Sequence, residues 1–384
     1  MSTLGENWTL QSPLQDVPQA VNTRLHQYFV DSHEEFSYIN PLVSQAITVL
    51  SDFVTSGGKR VRPTFAWAGV KAGLEAGGHT PSASPGAPST ADNTLTADSA
   101  LTAISSLEFI QACALIHDDI IDKSDTRRGH PTAHRTFERQ HSSDGWLGDS
   151  AHYGISQAIL IGDLALAWAD DMFTTSGIGA EALRRSLGPW RAMRTEVISG
   201  QMLDIALEAN GSEFVEDSMD VITYKTASYT VARPLHIGAS IAGAPDELIT
   251  RLRRIGHDIG VAFQLRDDQL GVFGDPDVTG KPSGDDLRSG KRTTLINFAL
   301  EQATPEQERT LRAHLGTIPA GDAGEDSVNA LRQIIHDTGA ASRVESLIDQ
   351  HSSRAIELIN TASLSDELTQ ELSRFARTLT HRTF

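Results

Sequence analysis

From Ala100 to Asp122 the apolar residues Leu101, Ile104, Leu107, Phe109, Ile110, Leu115 and Ile116 recur mostly at steps of three and four. That is the period of a helix with a wide buried face. The same period returns at Pro41–Leu50, Ala151–Phe173, Ala182–Leu207, Val221–Ala242, Glu247–Phe273 and Val328–Leu358. Sustained alternating, β-branched runs that would demand strands are absent. No repeat of fixed period is visible, which sets aside solenoids and propellers. The expected fold class is all-α.

The chain has 384 residues, of which 39% are hydrophobic and 21% charged. These proportions suit a folded globular protein rather than a disordered one. Its 32 Lys+Arg against 50 Asp+Glu give a net charge of −18. A chain this acidic repels nucleic acid at long range, so no nucleic-acid partner is expected and any anionic ligand needs a local basic pocket. The one cysteine, Cys113, allows no intrachain disulfide. The first residues, MSTLGENWTLQSPLQDVPQ, lack a cationic start and an apolar stretch, and no apolar run is read as long enough to span a membrane. A cytoplasmic location is expected.

Between residues 77 and 98 Pro, Ser, Thr, Gly and Ala crowd out every large apolar residue except Leu95, the composition of a flexible surface loop. Shorter loops are expected at Gln140–Ser150, Phe273–Gly290 and Thr317–Asp326. No shift in composition marks a linker, so residues 1–384 are expected to form a single domain.

Three stretches carry chemistry. In LIHDDIIDKSDTRRGH, Asp118 and Asp122 are four apart and share a helix face, with Asp119 beside them and Arg127 and Arg128 shortly after. Such a stretch is either a solvated acidic face or a site for Mg²⁺ bound to a phosphate, since Mg²⁺ takes one or two carboxylates plus phosphate oxygens. In FQLRDDQLGVFGDPDVTGKPSGDD, Gln264, Asp267 and Asp268 repeat the pattern, with Lys281 and Asp285 in the loop behind. In GGKRVRP, Gly57 and Gly58 let the backbone turn closely, and Lys59 and Arg62 project from the start of the next helix. This is not a Walker A loop, because Phe53 holds the place of the earlier glycine and Arg60 that of the Ser/Thr. The dyad His117–Asp118 lacks the further histidines of a metal-dependent phosphohydrolase, and Asp275–Asp286 breaks the EF-hand pattern at Pro282 and Asp286.

GGKRVRP, QACALIHDDIIDKSDTRRG, YKTASY and FQLRDD with GKPSGDD, in that order, resemble the trans-isoprenyl diphosphate synthases over roughly Val49–Arg292. The resemblance implies a single large helical bundle with a central cleft and a likeness to bacterial geranylgeranyl diphosphate synthases. It implies an Mg²⁺-dependent prenyltransferase that joins isopentenyl diphosphate head-to-tail to dimethylallyl, geranyl or farnesyl diphosphate. About three Mg²⁺ ions per site are implied, held by Asp118, Asp119, Asp122, Asp267, Asp268 and Asp285. By the same resemblance Arg127 holds the allylic diphosphate, and Lys59, Arg62, Gln111 and Arg128 hold isopentenyl diphosphate. Lys225, Thr226, Gln264 and Lys281 line the ionising carbon and its leaving group, and the active unit is a homodimer. One departure stands out: the last Asp of the second DDxxD motif is Gly271 here, which suggests a weaker third metal site.

Product length is expected to be read below the first motif. Cys113 and Ala114 lie one turn before Asp118 and are small, with Phe109 a turn further down as a possible floor and Trp168, Met172 and Phe173 as alternatives. Small residues there point to geranylgeranyl diphosphate. A longer-chain polyprenyl diphosphate synthase, a terpene cyclase and a non-catalytic regulatory subunit are the rivals. The basic set Lys59, Arg62 and Gln111 argues against the cyclase, and retention of the Asp and Arg set argues against the silent subunit.

Overall fold

The computed structural model describes residues 8–77, 95–274, 284–319 and 324–380. In chain order its helices are α1 (Val17–Phe36), α2 (Pro41–Thr55), α3 (Val61–Glu75), α4 (Ala97–Ser105), α5 (Leu107–Ile121), α6 (Ala133–Ser143), α7 (Ser150–Thr174), α8 (Ala180–Asn210) and α9 (Val215–Val221). A π-helical stretch, Ile222–Ala232, leads into α10 (Arg233–Ala242) and α11 (Asp246–Phe273). Then follow α12 (Asp285–Ser289), α13 (Thr294–Gln302), α14 (Pro305–His314), α15 (Glu325–Asp337), α16 (Ala340–Asn360) and α17 (Asp366–Thr380). The only strands among the described residues are β1 (Thr126–Arg127) and β2 (His130–Pro131), an antiparallel pair. The all-α expectation holds.

Two of the expected helices are broken. Ala100–Asp122 divides at Ser106 into α4 and α5. There the hydroxyls of Ser105 and Ser106 donate to Leu101 O and Ala103 O, side-chain bonds that compete with the helical ladder. Val328–Leu358 divides at Gly339, whose φ of 74° ends α15 in the left-handed conformation that glycine adopts without strain. Other termini follow sequence signals. Asn40 accepts from the Leu42 N–H to cap α2, and Thr96 with Ser99 forms a capping box on α4. The expected loop at 77–98 therefore ends by Thr96, and residues 78–94 of it lie outside the described residues.

The chain groups into two compact units. The first, Met1–Trp190 with Pro234–Ile249, holds α1 to α7, the start of α8, and α10. Its base is an aromatic cluster: Phe109 of α5 meets Tyr28 and Phe29 of α1 at 5.1 and 5.4 Å between ring centres, and Trp168 of α7 at 6.1 Å. The pairs with Tyr28 and Trp168 are edge-on and that with Phe29 tilted, and such aromatic pairs add to the gain from burial alone. The stretch Ala97–Ile121 is, by length and composition, apolar enough to cross a membrane, which corrects the sequence-based reading. In the structure 78% of that window is buried inside the protein.

The second unit, Arg191–Arg233 with Thr250–Phe384, is built on α11. Val261, Leu265, Leu295, Phe298, Val328 and Val344 form its core. Two ionic pins, each buried on its α11 side, fix α11 to α16. Asp258, 1% exposed, accepts from Arg354 through both oxygens and pairs with His351, all at 2.8 Å. Arg266, 6% exposed, is held by Glu345 at 2.6 and 2.8 Å and donates to Thr380 O at the end of α17.

Candidate active site

In the first unit the acidic motif closes α5, with Asp122 as its C-cap residue. Asp118 is half-buried and Asp122 exposed. The negative end of the helix dipole adds to their charge, so the spot favours a cation. Asp119 behaves differently. It is 1% exposed and receives two bonds from Arg127 Nε, at 2.8 and 3.0 Å, and an ion pair from Arg127 Nη2 at 2.7 Å. Burial pushes its carboxyl above the usual range, against the pull of Arg127. Asp119 thus orients Arg127, whose Nη2 also lies 3.6 Å from Asp118.

Arg127 ends β1, paired with His130, and Arg128 opens the turn of the small hairpin. Arg128 and Gly129 have φ of 53° and 77°, the two left-handed positions of a tight hairpin turn. Arg128 donates to Gly57 O at 3.0 Å, which ties the hairpin to the GGKRVRP loop. A Cβ on Gly58 would meet Arg128 Nη1 at 3.3 Å, and its φ of 126° already favours glycine. Burial and the neighbouring charges of Arg127, Arg60 and Arg62 depress the Arg128 guanidinium. Such a crowd of cations is a site for an anion.

Arg60, which the sequence reading passed over, explains how the loop is held. It is 4% exposed, has a φ of 47°, and donates to Asn22 at 2.8 Å, to Glu108 and to Val54 O at 2.7 Å. With Arg60 turned inward as a pin, Lys59 is exposed and Arg62 half-buried on the first turn of α3. Gln111 is half-buried on α5, two turns before Asp118 and on the same face.

Ala114 shares that face, one turn below Asp118. Cys113 does not: its sulfur lies 3.7 Å from His117 Nδ1, and His117 in turn packs on Gly162 of α7, with Nε2 3.2 Å from Ile159 O. Burial and Asp163 push the thiol up to about 12, which keeps it protonated near neutrality. Phe109 continues the Cys113–His117 stripe at four-residue steps and is fully buried in the aromatic cluster. Trp168 belongs to that same cluster, while Phe173 instead stacks on Trp190 at 4.2 Å.

In the second unit the π-helical stretch carries Lys225 and Thr226. It lies between two stripes at four-residue spacing. On α8 these are Glu196, Gly200 and Asp204. Glu196 accepts from Ser228 and from Arg233 Nε at 2.8 Å, and a Cβ on Gly200 would meet Lys225 N at 2.4 Å. Asp204 accepts from Lys225 Nζ at 2.6 Å. On α11 the stripe is Gly256, Gly260 and Gln264. Cβ atoms on the two glycines would lie 2.5 Å from Ala232 Cα and 2.4 Å from Ala227 Cα. Only bare backbone on both sides leaves room for the wider helix.

Thr226 Oγ1 donates to Gln264 Oε1 at 2.8 Å, and Gln264 Nε2 to Asp268 at 2.7 Å, a relay through the middle of the unit. Asp268 is 4% exposed. Its carboxyl is pushed up to about 7 by burial, helped by Asp286 and Asp267, against the pull of Lys291 and Gln264. Asp267, the position before it, is exposed and Asp285 is half-buried in α12. Lys281 lies outside the described residues. Sequence reasoning missed Glu196, Asp204 and Asp286. The first two were visible as an i, i+4, i+8 stripe with Gly200 in RTEVISGQMLDI, but the π-helix that uses it carries no sequence signal. Among the described residues no three His, Cys, Asp or Glu side chains form a closed metal site.

A family model described as polyprenyl synthetase matches residues 44–335. The chain is 32% identical to geranylfarnesyl diphosphate synthase of Aeropyrum pernix over 83% of its length and 88% of that protein. It is 28% identical to (2E,6E)-farnesyl diphosphate synthase of Mycobacterium bovis, over 85% of its length and 80% of the relative. Among solved structures it resembles geranylgeranyl pyrophosphate synthase from Corynebacterium glutamicum, complexed with isoprenyl diphosphate and magnesium. That likeness has a TM-score of 0.88 and 46% identity, over 97% of this chain and 100% of the other. The chain belongs to the polyprenyl synthetase family.

Proposed function

We propose that the chain acts as one synthase domain, a trans-prenyltransferase that condenses isopentenyl diphosphate with allylic diphosphates and stops at geranylgeranyl diphosphate. The observation that carries this reading is the first unit's pairing of a carboxylate helix end, Asp118 and Asp122, with the cation group Lys59, Arg62, Arg127 and Arg128. An enzyme that binds one diphosphate through metal and a second through basic side chains alone needs both sets. Likeness to a geranylgeranyl pyrophosphate synthase at 46% identity supports the chosen product, although farnesyl and geranylfarnesyl synthases are also relatives.

The residues fit Mg²⁺. Asp118, Asp122 and Asp267 are hard oxygen donors within reach of solvent, and Mg²⁺ takes few protein carboxylates beside substrate phosphates. When bound, Mg²⁺ neutralises charge building on the leaving diphosphate. The chain's own groups do the rest. In the first unit Arg127, oriented by buried Asp119, holds the allylic diphosphate. Lys225, kept in line by Asp204, stabilises the developing negative charge in advance of its appearance. The Thr226 and Gln264 oxygens face the carbon from which the C–O bond breaks. The double bond of isopentenyl diphosphate, held by Lys59, Arg62, Gln111 and Arg128, attacks that carbon, and a proton leaves to the released diphosphate. Ala114 leaves space for the growing tail. A homodimer located in the cytoplasm completes the reading.

The test is to incubate purified protein with Mg²⁺, isopentenyl diphosphate and, in turn, dimethylallyl, geranyl and farnesyl diphosphate, and to size the dephosphorylated products. Geranylgeraniol from each starter supports the reading. Longer alcohols move the assignment to a polyprenyl synthase, and absence of any condensation overturns it.

A further inference from the structure

The arginine pair of the first unit stands on a hairpin too small to hold itself. β1 and β2 have two residues each, and a lone two-stranded ribbon is marginal in water. Its base is closed by Thr132. This residue is fully buried, its N–H donates to Asp125 O at 3.1 Å, and its hydroxyl donates to Ser124 O at 2.9 Å. The residue after β2 is thereby tied to the two residues before β1. An ion pair from Arg135 to Asp125 joins the same stretch at 2.7 Å, but the Asp125 side chain is 74% exposed, so the pair counts for little. The contacts of Arg127 with Asp119 and of Arg128 with Gly57 O hold the two side chains, not the base.

Thr132 is also the N-cap residue of α6, yet its hydroxyl makes no capping bond there. Thr96, Thr293 and Thr304 hold the same position on α4, α13 and α14, and each accepts an N–H of its own helix. Helix α6 thus forgoes the stability that a threonine cap normally supplies. The one hydroxyl proton goes to a carbonyl, which can only accept, so His134 Nδ1–H donates to Thr132 Oγ1 across their 3.2 Å contact. His134 is in turn seated on α7, where a Cβ on Gly154 would lie 2.3 Å from His134 O. The contacts therefore run from α7 through His134 and Thr132 to Ser124, just before the strand that ends in Arg127.

We propose that Thr132 is a positioning residue for the diphosphates: its hydroxyl is diverted from α6 to the base of the hairpin and so sets where Arg127 and Arg128 stand. This rests on the synthase reading above, which gives those arginines the two diphosphates. Thr132 acts through the backbone at Ser124 and Asp125 and not by contact with substrate. The hydroxyl is then required, and the shape of the side chain alone does not replace it.

The experiment compares wild type with Thr132→Val, which keeps the shape and removes the hydroxyl, and Thr132→Ser, which keeps the hydroxyl. Phe137→Leu, a change to a buried residue in the body of α6, serves as a variant that only loosens packing. Two readouts are taken on the full chain, with melting temperatures alongside. One is KM and kcat for isopentenyl diphosphate; the other is the rate at which trypsin cuts after Arg127 and Arg128 with no substrate present. Thr132→Val is expected to raise KM about tenfold and to speed cleavage at the hairpin by a similar factor, the scale of losing a hydrogen bond inside the fold. Thr132→Ser is expected to stay within about threefold of wild type in both, since the bond is kept. Phe137→Leu is expected to lower the melting temperature and leave KM and hairpin cleavage close to wild type. If Thr132→Val does not melt cooperatively, Thr132→Ala takes its place. KM or hairpin cleavage in the variant without the hydroxyl equal to wild type, or Thr132→Ser as impaired as that variant, overturns the proposal. If cleavage follows the hydroxyl while wild type itself condenses nothing, the clasp at Thr132 stands and it is the synthase reading that falls.

Discussion

The two acidic motifs look alike in sequence and are built in different ways. In the first unit Asp118 and Asp122 end a helix within reach of solvent while Asp119 is buried, and the basic groups stand on left-handed turns at Arg60 and Arg128. In the second unit the reactive side chains are interlocked within helices, Lys225 to Asp204 and Thr226 to Gln264 to Asp268. The contrast separates two ways of holding charge. A helix end offers carboxylates to an incoming cation with little rearrangement, whereas a buried relay fixes dipoles in advance, where low dielectric makes them count for more.

The strongest way to break the comparison is at Asp118. If the helix end is where a metal-bound diphosphate is held, Asp118→Asn lowers kcat by about 10³-fold, the scale of losing a principal charge-stabilising group. Its melting temperature stays near wild type, since Asp118 is half-buried and its bond to Arg127 is long. Asp119→Asn should do the reverse in part. It removes one side of a buried ion pair and destabilises the fold by about 3 kcal/mol. Steady-state kinetics and thermal melts of both variants decide this. Equal loss of stability in both would mean that the two aspartates are not divided into a ligand and a support.

The second unit depends on a buried frame, and Asp258 tests it. Burial acts to raise its carboxyl, but the bonds from His351 and Arg354 prevail and hold it below the usual range. A carboxylate with a depressed folded pKa contributes stability that is present above the unfolded value and is lost as pH falls through the folded one. Asp258→Asn is therefore expected to lose about 1–3 kcal/mol near neutrality, since the Arg354 left behind is solvated. The gap between wild type and variant should narrow as pH falls below about 4, where the unfolded carboxylate protonates. Denaturant melts from pH 3 to pH 7 check both statements, and a gap independent of pH would show that packing rather than charge is at work.

The fold was legible to the extent that burial is periodic. Helices α7, α8 and α11 follow from the spacing of apolar residues, and the four motifs appear in sequence as runs. The breaks were not legible. Nothing in the apolar pattern marks Ser106, where two hydroxyls turn back on the helix, or the π-helical stretch, which exists because glycines far away in sequence leave room for it. The inward role of Arg60 was hidden for the same reason, since its partners Asn22 and Glu108 lie 38 and 48 residues away. Short-range chemistry can be read along a chain. A side chain's direction depends on what the other elements bring to it.

Glu196 sharpens the account of the second unit. It grips Ser228 and Arg233 across the π-helical stretch without reaching the reactive groups, so it is a positioning residue. Glu196→Gln keeps its shape and weakens the grip. A displacement of about 1 Å at Lys225 and Thr226 is enough to lower kcat by roughly 10²-fold, with KM for isopentenyl diphosphate almost unchanged. Glu196→Asp, which keeps the charge, should recover part of the rate. A parallel rise in KM would place the damage in the first unit's substrate site.

The smallest effect concerns where the tail runs, and here the structure separates two residues that are neighbours in sequence. Ala114 lies on the face of Asp118, whereas Cys113 is turned toward His117 and α7. Ala114→Phe therefore stands in the path of the growing chain and is expected to shorten the product toward farnesyl diphosphate, with the melting temperature little changed. Cys113→Phe has to fit a larger ring against α7, an overpacking that destabilises by about 1–3 kcal/mol. The product is expected to shorten less than with Ala114→Phe, because the new ring points away from the carboxylate face. Product sizing and thermal melts of the two variants make the comparison direct. If Cys113→Phe shortens the product and Ala114→Phe does not, the tail descends along the Cys113–Phe109 stripe. The aromatic cluster of Phe109, Tyr28 and Trp168 then becomes its floor.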